Sequence, residues 1–337
     1  GLIRLILALG LASFVGLAVQ GSEATSAPRE AAVADSYRFR NWTTEQGLPQ
    51  NTVTCLAQTP DGYLWMGTRY GLVRYDGAQF KVFLSELGEA QSAAVDCRAL
   101  VADAEGTLWI LTRDGLFSYV EGRIRPWPLE ENGREVRLDT IAFRASGSLW
   151  LGGPDGLRWF EKGDLGPVFN RAHGLFADRV HEAREDREGR VWVQLEDAPR
   201  RPWQRVDPRS GEGRSLRDFV PKAGDEWETV FEDRQGRLWF GLPEALVCID
   251  GEKKTWYPAT HAWKGVGVRS ISEDRSGNLW IVSDGPNPIH RFDGQKVLSV
   301  TRPGGGAVDT DIRTPLVTGS SRLWLGSGGR GVHCLQR

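Results

Sequence analysis

One short phrase recurs seven times along this chain: a polar turn that usually ends in Gly, then an apolar residue, then Trp. The tryptophans stand 41 to 47 residues apart and are Trp65, Trp109, Trp150, Trp192, Trp239, Trp280 and Trp324. A period of about 40–45 residues built from strand-like units is typical of a β-propeller, with one blade per repeat. The spacing therefore predicts an all-β chain folded as a seven-bladed β-propeller.

Fixed positions before each Trp predict the first hairpin of every blade. The residues twelve and nine positions before the Trp are apolar or nearly so in all seven copies. Six copies have Gly three positions before the Trp, and four have Asp six positions before it: Asp103, Asp186, Asp233 and Asp274. Asp-x-x-Gly between two strands indicates a tight turn, because Asp caps the turn and Gly adopts a positive φ.

A second turn and two further strands follow each Trp, so one repeat supplies a four-stranded antiparallel blade. The turn is clearest in GTRYGL at 67–72, and the variable fourth strand in FKVF at 80–83. Seven equivalent tryptophans favour packing between blades over ligand binding, since each buried indole removes a large apolar surface from water. We therefore predict that the seven tryptophans are structural.

Closure of the ring requires a strand from outside the last repeat. The last repeat, LWLGSGGRGVHCLQR at 323–337, supplies only three strands, whereas YRFRNW at 37–42 precedes the first blade and alternates like an outer strand. We predict that residues 37–42 pair with residues 332–335 as the fourth strand of blade 7.

The ends and the charge of the chain bear on its location. Residues 2–19 form the one long apolar run, with Arg4 near its start, which predicts a secretory signal peptide over residues 1–24; an uncleaved N-terminal anchor is the alternative. Residues 25–36 have the composition of a linker, and 37–337 form one propeller domain. The net charge of −2, with both signs interspersed, argues against nucleic acid as a partner.

The cysteines and histidines give no metal signal. None of the four cysteines forms a CxxC pair, and none of the five histidines forms an HxH or HxxxH pair. We therefore predict no metal and no cofactor. Cys55 and Cys97 fall on the innermost strands of neighbouring blades, where either a disulfide or two buried free thiols would fit.

The first repeat resembles a known family. Residues 47–83 read GLPQNTVTCLAQTPDGYLWMGTRYGLVRYDGAQFKVF, which is very similar to the two-component-regulator propeller repeat, with Thr59 where Asp is usual. Repeats 2 and 3 resemble it through LWILTRDGL and LWLGGPDGL, and repeats 4 to 7 keep only the core phrase. The resemblance implies the extracytoplasmic, periplasmic sensor domain of a bacterial sensor histidine kinase, hybrid two-component system or diguanylate cyclase.

The resemblance also implies partners. Proteins of this family usually carry two such propellers, a β-sandwich, a membrane helix and a cytoplasmic output module, and their ligands are often glycan fragments. It implies a homodimer formed through the full-length sensor, with membrane contact only through the N-terminal segment or a helix beyond this sequence. No kinase or cyclase motif occurs here, so we expect the output elsewhere.

A ligand is expected at the face where each innermost strand begins. The residues eleven positions before each Trp are polar: Thr54, Arg98, Asp139, His181, Glu228, Arg269 and Arg313. The second turns open on the same face and add further polar residues, with Arg69, Tyr70 and Arg113 the strongest candidates. Such a funnel suits a small polar, anionic or glycan-like ligand, and a merely solvated rim is the alternative.

Two further function classes stay open. A free-standing secreted propeller for protein interactions would need an apolar face. A propeller lyase or glycan hydrolase would need a catalytic pair, and Asp139 with Glu228 is the candidate across the funnel. We predict no catalytic residue in this chain, because the Asp of the sialidase-type box would stand five positions before the Trp, whereas here it stands six before.

Overall fold

The computed structural model is a ring of seven antiparallel blades, each with four strands. It describes residues 37–83, 96–144, 146–196, 203–210, 212–219, 229–259, 267–285, 287–301, 311–319 and 322–336. The predicted signal peptide or anchor (1–24) and linker (25–36) lie outside these residues. Both the seven-bladed propeller and its four-stranded blades are confirmed.

The strands of blades 1 to 3 follow one another from the ring axis outward. Blade 1 contains β2 (Val53–Gln58), β3 (Leu64–Thr68), β4 (Gly71–Tyr75) and β5 (Phe80–Phe83). Blade 2 contains β6 (Cys97–Ala102), β7 (Leu108–Thr112), β8 (Gly115–Val120) and β9 (Arg123–Trp127). A small hairpin follows, β10 (Glu130–Glu131) with β11 (Arg134–Glu135). Blade 3 contains β12 (Thr140–Phe143), β13 (Leu149–Gly153), β14 (Gly156–Glu161) and β15 (Asp164–Leu165).

Blades 4 to 6 repeat the pattern. Blade 4 contains β16 (Val180–Glu185), β17 (Val191–Leu195), β18 (Trp203–Val206) and β19 (Gly213–Ser215). Blade 5 contains β20 (Thr229–Glu232), β21 (Leu238–Gly241), β22 (Ala245–Asp250) and β23 (Lys253–Pro258). Blade 6 contains β24 (Val268–Glu273), β25 (Leu279–Ser283), β26 (Ile289–Phe292) and β27 (Val297–Ser299). The helical segments are short: α1 (Leu216–Phe219) and two 3-10 turns, Thr44–Gln46 and Arg171–His173.

Blade 7 closes the ring as the sequence predicts. Its inner strands are β28 (Ile312–Val317), β29 (Leu323–Ser327) and β30 (Val332–Gln336), and its outer strand is β1 (Arg38–Trp42). The register pairs Arg38 with Gln336 and Trp42 with Val332. The first and last described strands of the chain therefore share one sheet, which confirms the predicted closure.

The repeat tryptophans lie at the seams between blades. Trp65 of blade 1 contacts Tyr119 of blade 2 with ring centroids 4.6 Å apart, and Trp239 of blade 5 contacts Phe292 of blade 6 at 5.3 Å. Six of the seven are at most 4% exposed. Trp109 is partly exposed and borders a cavity that Ser146, Gly147 and Ser148 of blade 3 also line.

Backbone N–H groups also connect blades in a fixed register. Three turns donate to a Glu or Gln on the innermost strand of the next blade: Arg187 to Glu232 Oε2 (2.9 Å), Arg234 to Glu273 Oε2 (2.8 Å) and Gly319 to Gln58 Oε1 (2.9 Å). The donors stand five positions before their Trp and the acceptors seven before theirs. These hydrogen bonds lie near the surface of each seam and hold one blade at a fixed height against the next.

His290 makes the stability of blade 6 depend on pH. Its side chain is fully buried, and Nε2 lies 3.0 Å from Ser283 Oγ. Burial lowers the pKa of His290 from 6.5 to about 4. Between these values the unfolded chain binds a proton that the folded chain does not. The free energy of unfolding therefore decreases as the pH is lowered, by up to about 1.4 kcal/mol per pH unit. We expect His290→Gln to flatten this dependence, measured as the free energy of urea unfolding between pH 7 and 4.

Candidate functional site

A funnel opens at the face of the ring where the innermost strands begin. Its volume is about 850 Å³. Arg98, Asp139, His181, Arg269 and Arg313 all line it, together with Arg69 from the second turn of blade 1. Thr54 lines it too, so the structure gathers seven of the ten predicted residues at one cavity.

Backbone bulges direct these side chains inward. In five innermost strands the pairing register shifts between the residues twelve and ten positions before the Trp. The residue between them is left outside the ladder, and in these strands it is Thr54, Arg98, His181, Arg269 and Arg313. A bulge re-aims a side chain that would otherwise follow the strand pleat. The funnel lining is therefore a property of the backbone as well as of the residue types.

The remaining predicted residues lie elsewhere. Arg113 lines a second cavity beside the funnel, described below. Tyr70 is 46% exposed and lines neither cavity. Glu228 lies outside the described residues, so its pairing with Asp139 stays a prediction.

Most funnel arginines are held by carboxylates. Arg179 Nε lies 2.9 Å from Asp139 Oδ2 and 2.9 Å from Glu196 Oε2, joining blade 3 to blade 4. Arg269 is paired with Asp284, and Arg313 Nη2 lies 3.4 Å from Asp311 Oδ2. Such exposed pairs contribute at most about 1 kcal/mol each to stability. Their main consequence is that the rim presents oriented guanidinium donors and carboxylate acceptors.

Blade 4 differs from the other blades inside the funnel. Ten positions before its Trp it carries Glu182, where the other six blades have Cys, Ala, Thr or Ser. Eight positions before its Trp it carries Arg184, where the others have Ala, Val, Phe, Ser or Leu. Arg184 Nη2 lies 2.7 Å from Glu182 Oε1, and Nη1 donates to the Val230 carbonyl at 2.9 Å. This pair makes the site asymmetric. Sequence reasoning missed it, although comparing the repeats position by position reveals it.

The two funnel cysteines are inert thiols. Cys55 and Cys97 both line the cavity wall, and all four cysteines of the chain are free. Burial raises the pKa of Cys55 to about 12 and that of Cys97 well above its usual value. Since the thiolate is the reactive form, both groups are protonated and weak nucleophiles near neutral pH.

The described residues define what chemistry the face can support. Within them, no group of three His, Cys, Asp or Glu side chains is placed to hold a metal ion. The same part of the chain contains no helix of the length and apolarity needed to cross a bilayer. The funnel offers hydrogen bonds and charge, which are the means of binding a polar ligand.

A side cavity of about 860 Å³ adjoins the funnel between blades 2 and 3. Arg98, Asp139 and Arg179 line both spaces and form the boundary between them. Arg98 is held loosely there: Nη1 lies 3.6 Å from Asp139 Oδ1 and 3.4 Å from the Leu138 carbonyl. The β10–β11 hairpin contributes Glu130 and Glu135 to the wall.

Solved structures confirm the architecture. The chain superposes on the extracellular domain of BT3049 from B. thetaiotaomicron, described as a hybrid two-component system, with a TM-score of 0.72, 18% identity and coverage of 89% of this chain and 42% of that one. The extracellular domain of BT4673 from the same organism, likewise described as a hybrid two-component system, superposes with a TM-score of 0.71 and 15% identity, over 91% of this chain and 43% of that one. A virginiamycin B lyase from Staphylococcus aureus superposes with a TM-score of 0.67 and 12% identity, over 90% of this chain and 100% of that one.

These likenesses establish the propeller fold. The chain spans about two fifths of the length of the two-component-system domains it matches. Comparison with curated protein sequences gave no match. Residues 47–70 match the family model described as "Two component regulator propeller", which confirms the resemblance seen in the sequence: the chain carries a repeat of that family.

Proposed function

We propose that this chain is the extracytoplasmic ligand-sensing propeller of a bacterial signal-transduction protein. It binds a small polar or glycan-like ligand in the funnel. The observation that carries the proposal is the cavity of about 850 Å³ whose rim presents paired arginines and carboxylates from several blades. Hydroxyl groups of a ligand can donate to the carboxylates and accept from the guanidinium groups at the same time.

The wider role follows from the repeat family. The match at residues 47–70 and the extracellular two-component-system domains of the same fold support a sensor in the periplasm or outside the cell. The output module, a histidine kinase or diguanylate cyclase, belongs to the full-length sensor, as do homodimer formation and membrane attachment. The chain itself acts by binding without chemical turnover and without a cofactor.

Replacing Arg98, Arg269 and Arg313 together with Ala tests the funnel. We expect affinity for a ligand found by screening small polar molecules and oligosaccharides to fall at least about tenfold, since hydrogen bonds to charged groups contribute about 1.5–3 kcal/mol each. The melting temperature should stay within about 3 °C, because exposed ion pairs add little stability. Isothermal titration and thermal melting give the two readouts.

A matched variant separates local from general charge effects. Arg38, Arg40 and Arg123 are exposed on outer strands, and their replacement by Ala removes the same charge. This control should bind as the unaltered chain does. Equal affinity of the funnel variant and the unaltered chain would place the site elsewhere. Consumption of the ligand during incubation would contradict binding without turnover and favour the lyase alternative.

A further inference from the structure

The side cavity differs chemically from the funnel. In the funnel, Arg184, Arg269 and Arg313 are each paired with a carboxylate. Arg179, which lines both spaces, is paired with Asp139 and Glu196. On the side-cavity wall, Arg113 and Arg137 have no carboxylate within 4.0 Å among the described residues, and Arg98 has only the contact at 3.6 Å. Among the described residues, an anion bound by Arg113 and Arg137 would therefore displace no salt bridge of these two side chains.

The rest of the wall is largely apolar. Trp127, Leu129, Val136 and Pro154 line the same space. Trp127 is half-buried and fixed: its Nε1 donates to Ser118 Oγ at 2.9 Å, and its ring meets Phe160 with centroids 5.4 Å apart. A fixed aromatic wall beside guanidinium groups matches a ligand that has both an apolar ring and a negative charge.

The cavity has the size and the boundary of a separate site. Its volume of about 860 Å³ lies in the range that holds drug-sized ligands. The β10–β11 hairpin forms part of its wall, and among the described connections between blades only this one has a two-stranded sheet of its own. The cavity is therefore specific to the blade 2 to blade 3 seam and is not a general feature of the repeat.

We propose that the side cavity is a second binding site, for an amphipathic anion whose negative group contacts Arg98, Arg113 and Arg137 and whose ring lies against the wall of Trp127, Leu129, Val136 and Pro154. Asp114, Glu130 and Glu135 also line this cavity and exclude a second negative group near them. The site accordingly takes a compact anion joined to one ring system, such as an aryl phosphate or aryl carboxylate.

The probes are inorganic phosphate, phenyl phosphate and 1-naphthyl phosphate, titrated calorimetrically into the full chain. Affinity should increase in that order, by at least about fivefold from the first to the last, because each added ring buries apolar surface. Equal affinity for all three would overturn the apolar half of the proposal. Absence of saturable binding up to 10 mM would overturn the whole of it, and would leave the funnel proposal standing on its own ligand screen.

Charge reversal locates the site. Arg113→Glu should weaken 1-naphthyl phosphate binding by about tenfold or more, since an attractive contact becomes repulsive. Arg123→Glu changes the same charge on an exposed residue of the outer strand of blade 2 and lines neither cavity. An equal loss in both variants would show that binding follows net charge and would overturn the assignment. Thermal melting of each variant establishes that it is folded.

Discussion

Deletion of residues 36–43 is expected to destabilise the whole ring. The deletion removes β1, so β30 keeps its pairing with β29 but becomes the outer edge of blade 7, with its other side unpaired. It also removes Tyr37, whose ring lies 5.4 Å from Trp280, and Trp42, which stacks on Trp324 at 5.2 Å. Tyr37 is buried and Trp42 is half-buried, and each contributes at most about 4–6 kcal/mol through its area. A loss of about 8 kcal/mol corresponds to a melting temperature lowered by about 15 °C or more.

Circular dichroism melting of two truncated chains measures this effect. The comparison chain lacks residues 25–35, part of the predicted linker, and keeps β1; it should melt as the full chain does. Adding a synthetic peptide of residues 36–43 to the chain that lacks them should restore part of the lost stability, since the peptide can pair with β30. An unchanged melting temperature in that chain without peptide would refute closure by β1.

The fold was predictable because its determinants repeat. Trp, the turn Gly and the Asp six positions before the Trp recur at one spacing, so each copy supports the interpretation of the others. Gly189 and Gly236 adopt positive φ angles of 77° and 81°, as the turn prediction requires. Closure was predictable from a deficit: the last repeat has three strands and one spare strand precedes the first.

The site was predictable only in part, because binding sites break the symmetry of the repeat. The position eleven before the Trp is shared by all blades, so its side chains could be placed at the funnel from the sequence. Glu182 and Arg184 stand at positions where no other blade has a charged residue, and Arg179 stands at a position that is polar in most blades, so the register gave no reason to select them. The side cavity depends on the β10–β11 hairpin, which has no counterpart from which to infer it.

A similar limit applies to Trp109. The repeat assigns it the same role as the other six tryptophans, and its own blade keeps the Asp at Asp103. It is partly exposed at a cavity that Ser146 to Ser148 of the next blade also line. Contacts across a seam between consecutive blades join residues about 40 to 55 positions apart, and the spacing pattern within one blade does not contain them.

Asp233 holds the turn and the tryptophan of blade 5 together. Its Oδ1 accepts from the backbone N–H of Gln235 and of Arg237, both at 2.9 Å, and its Oδ2 accepts from Trp239 Nε1 at 2.7 Å and Arg237 Nε at 2.6 Å. The carboxylate is fully buried. Burial acts to raise the pKa of Asp233, but the hydrogen bonds from Trp239 and Arg237 outweigh it and lower the pKa below 3.8.

Replacing Asp233 with Ala should therefore lower the free energy of unfolding by about 3–5 kcal/mol, since it leaves the Arg237 and Trp239 donors without their partner. Asp103→Ala is the matched change in blade 2: Asp103 is partly exposed and accepts from the Thr107 backbone N–H, so we expect a loss of about 1 kcal/mol. Urea unfolding at pH 7 measures both.

The lowered pKa of Asp233 stabilises the folded state above about pH 4, and this stabilisation disappears as the pH falls through the folded value. The difference in unfolding free energy between Asp233→Ala and the unaltered chain should therefore shrink in acid. Equal losses in the two variants would show that the Asp acts only as a turn cap and that its bond to the tryptophan contributes nothing.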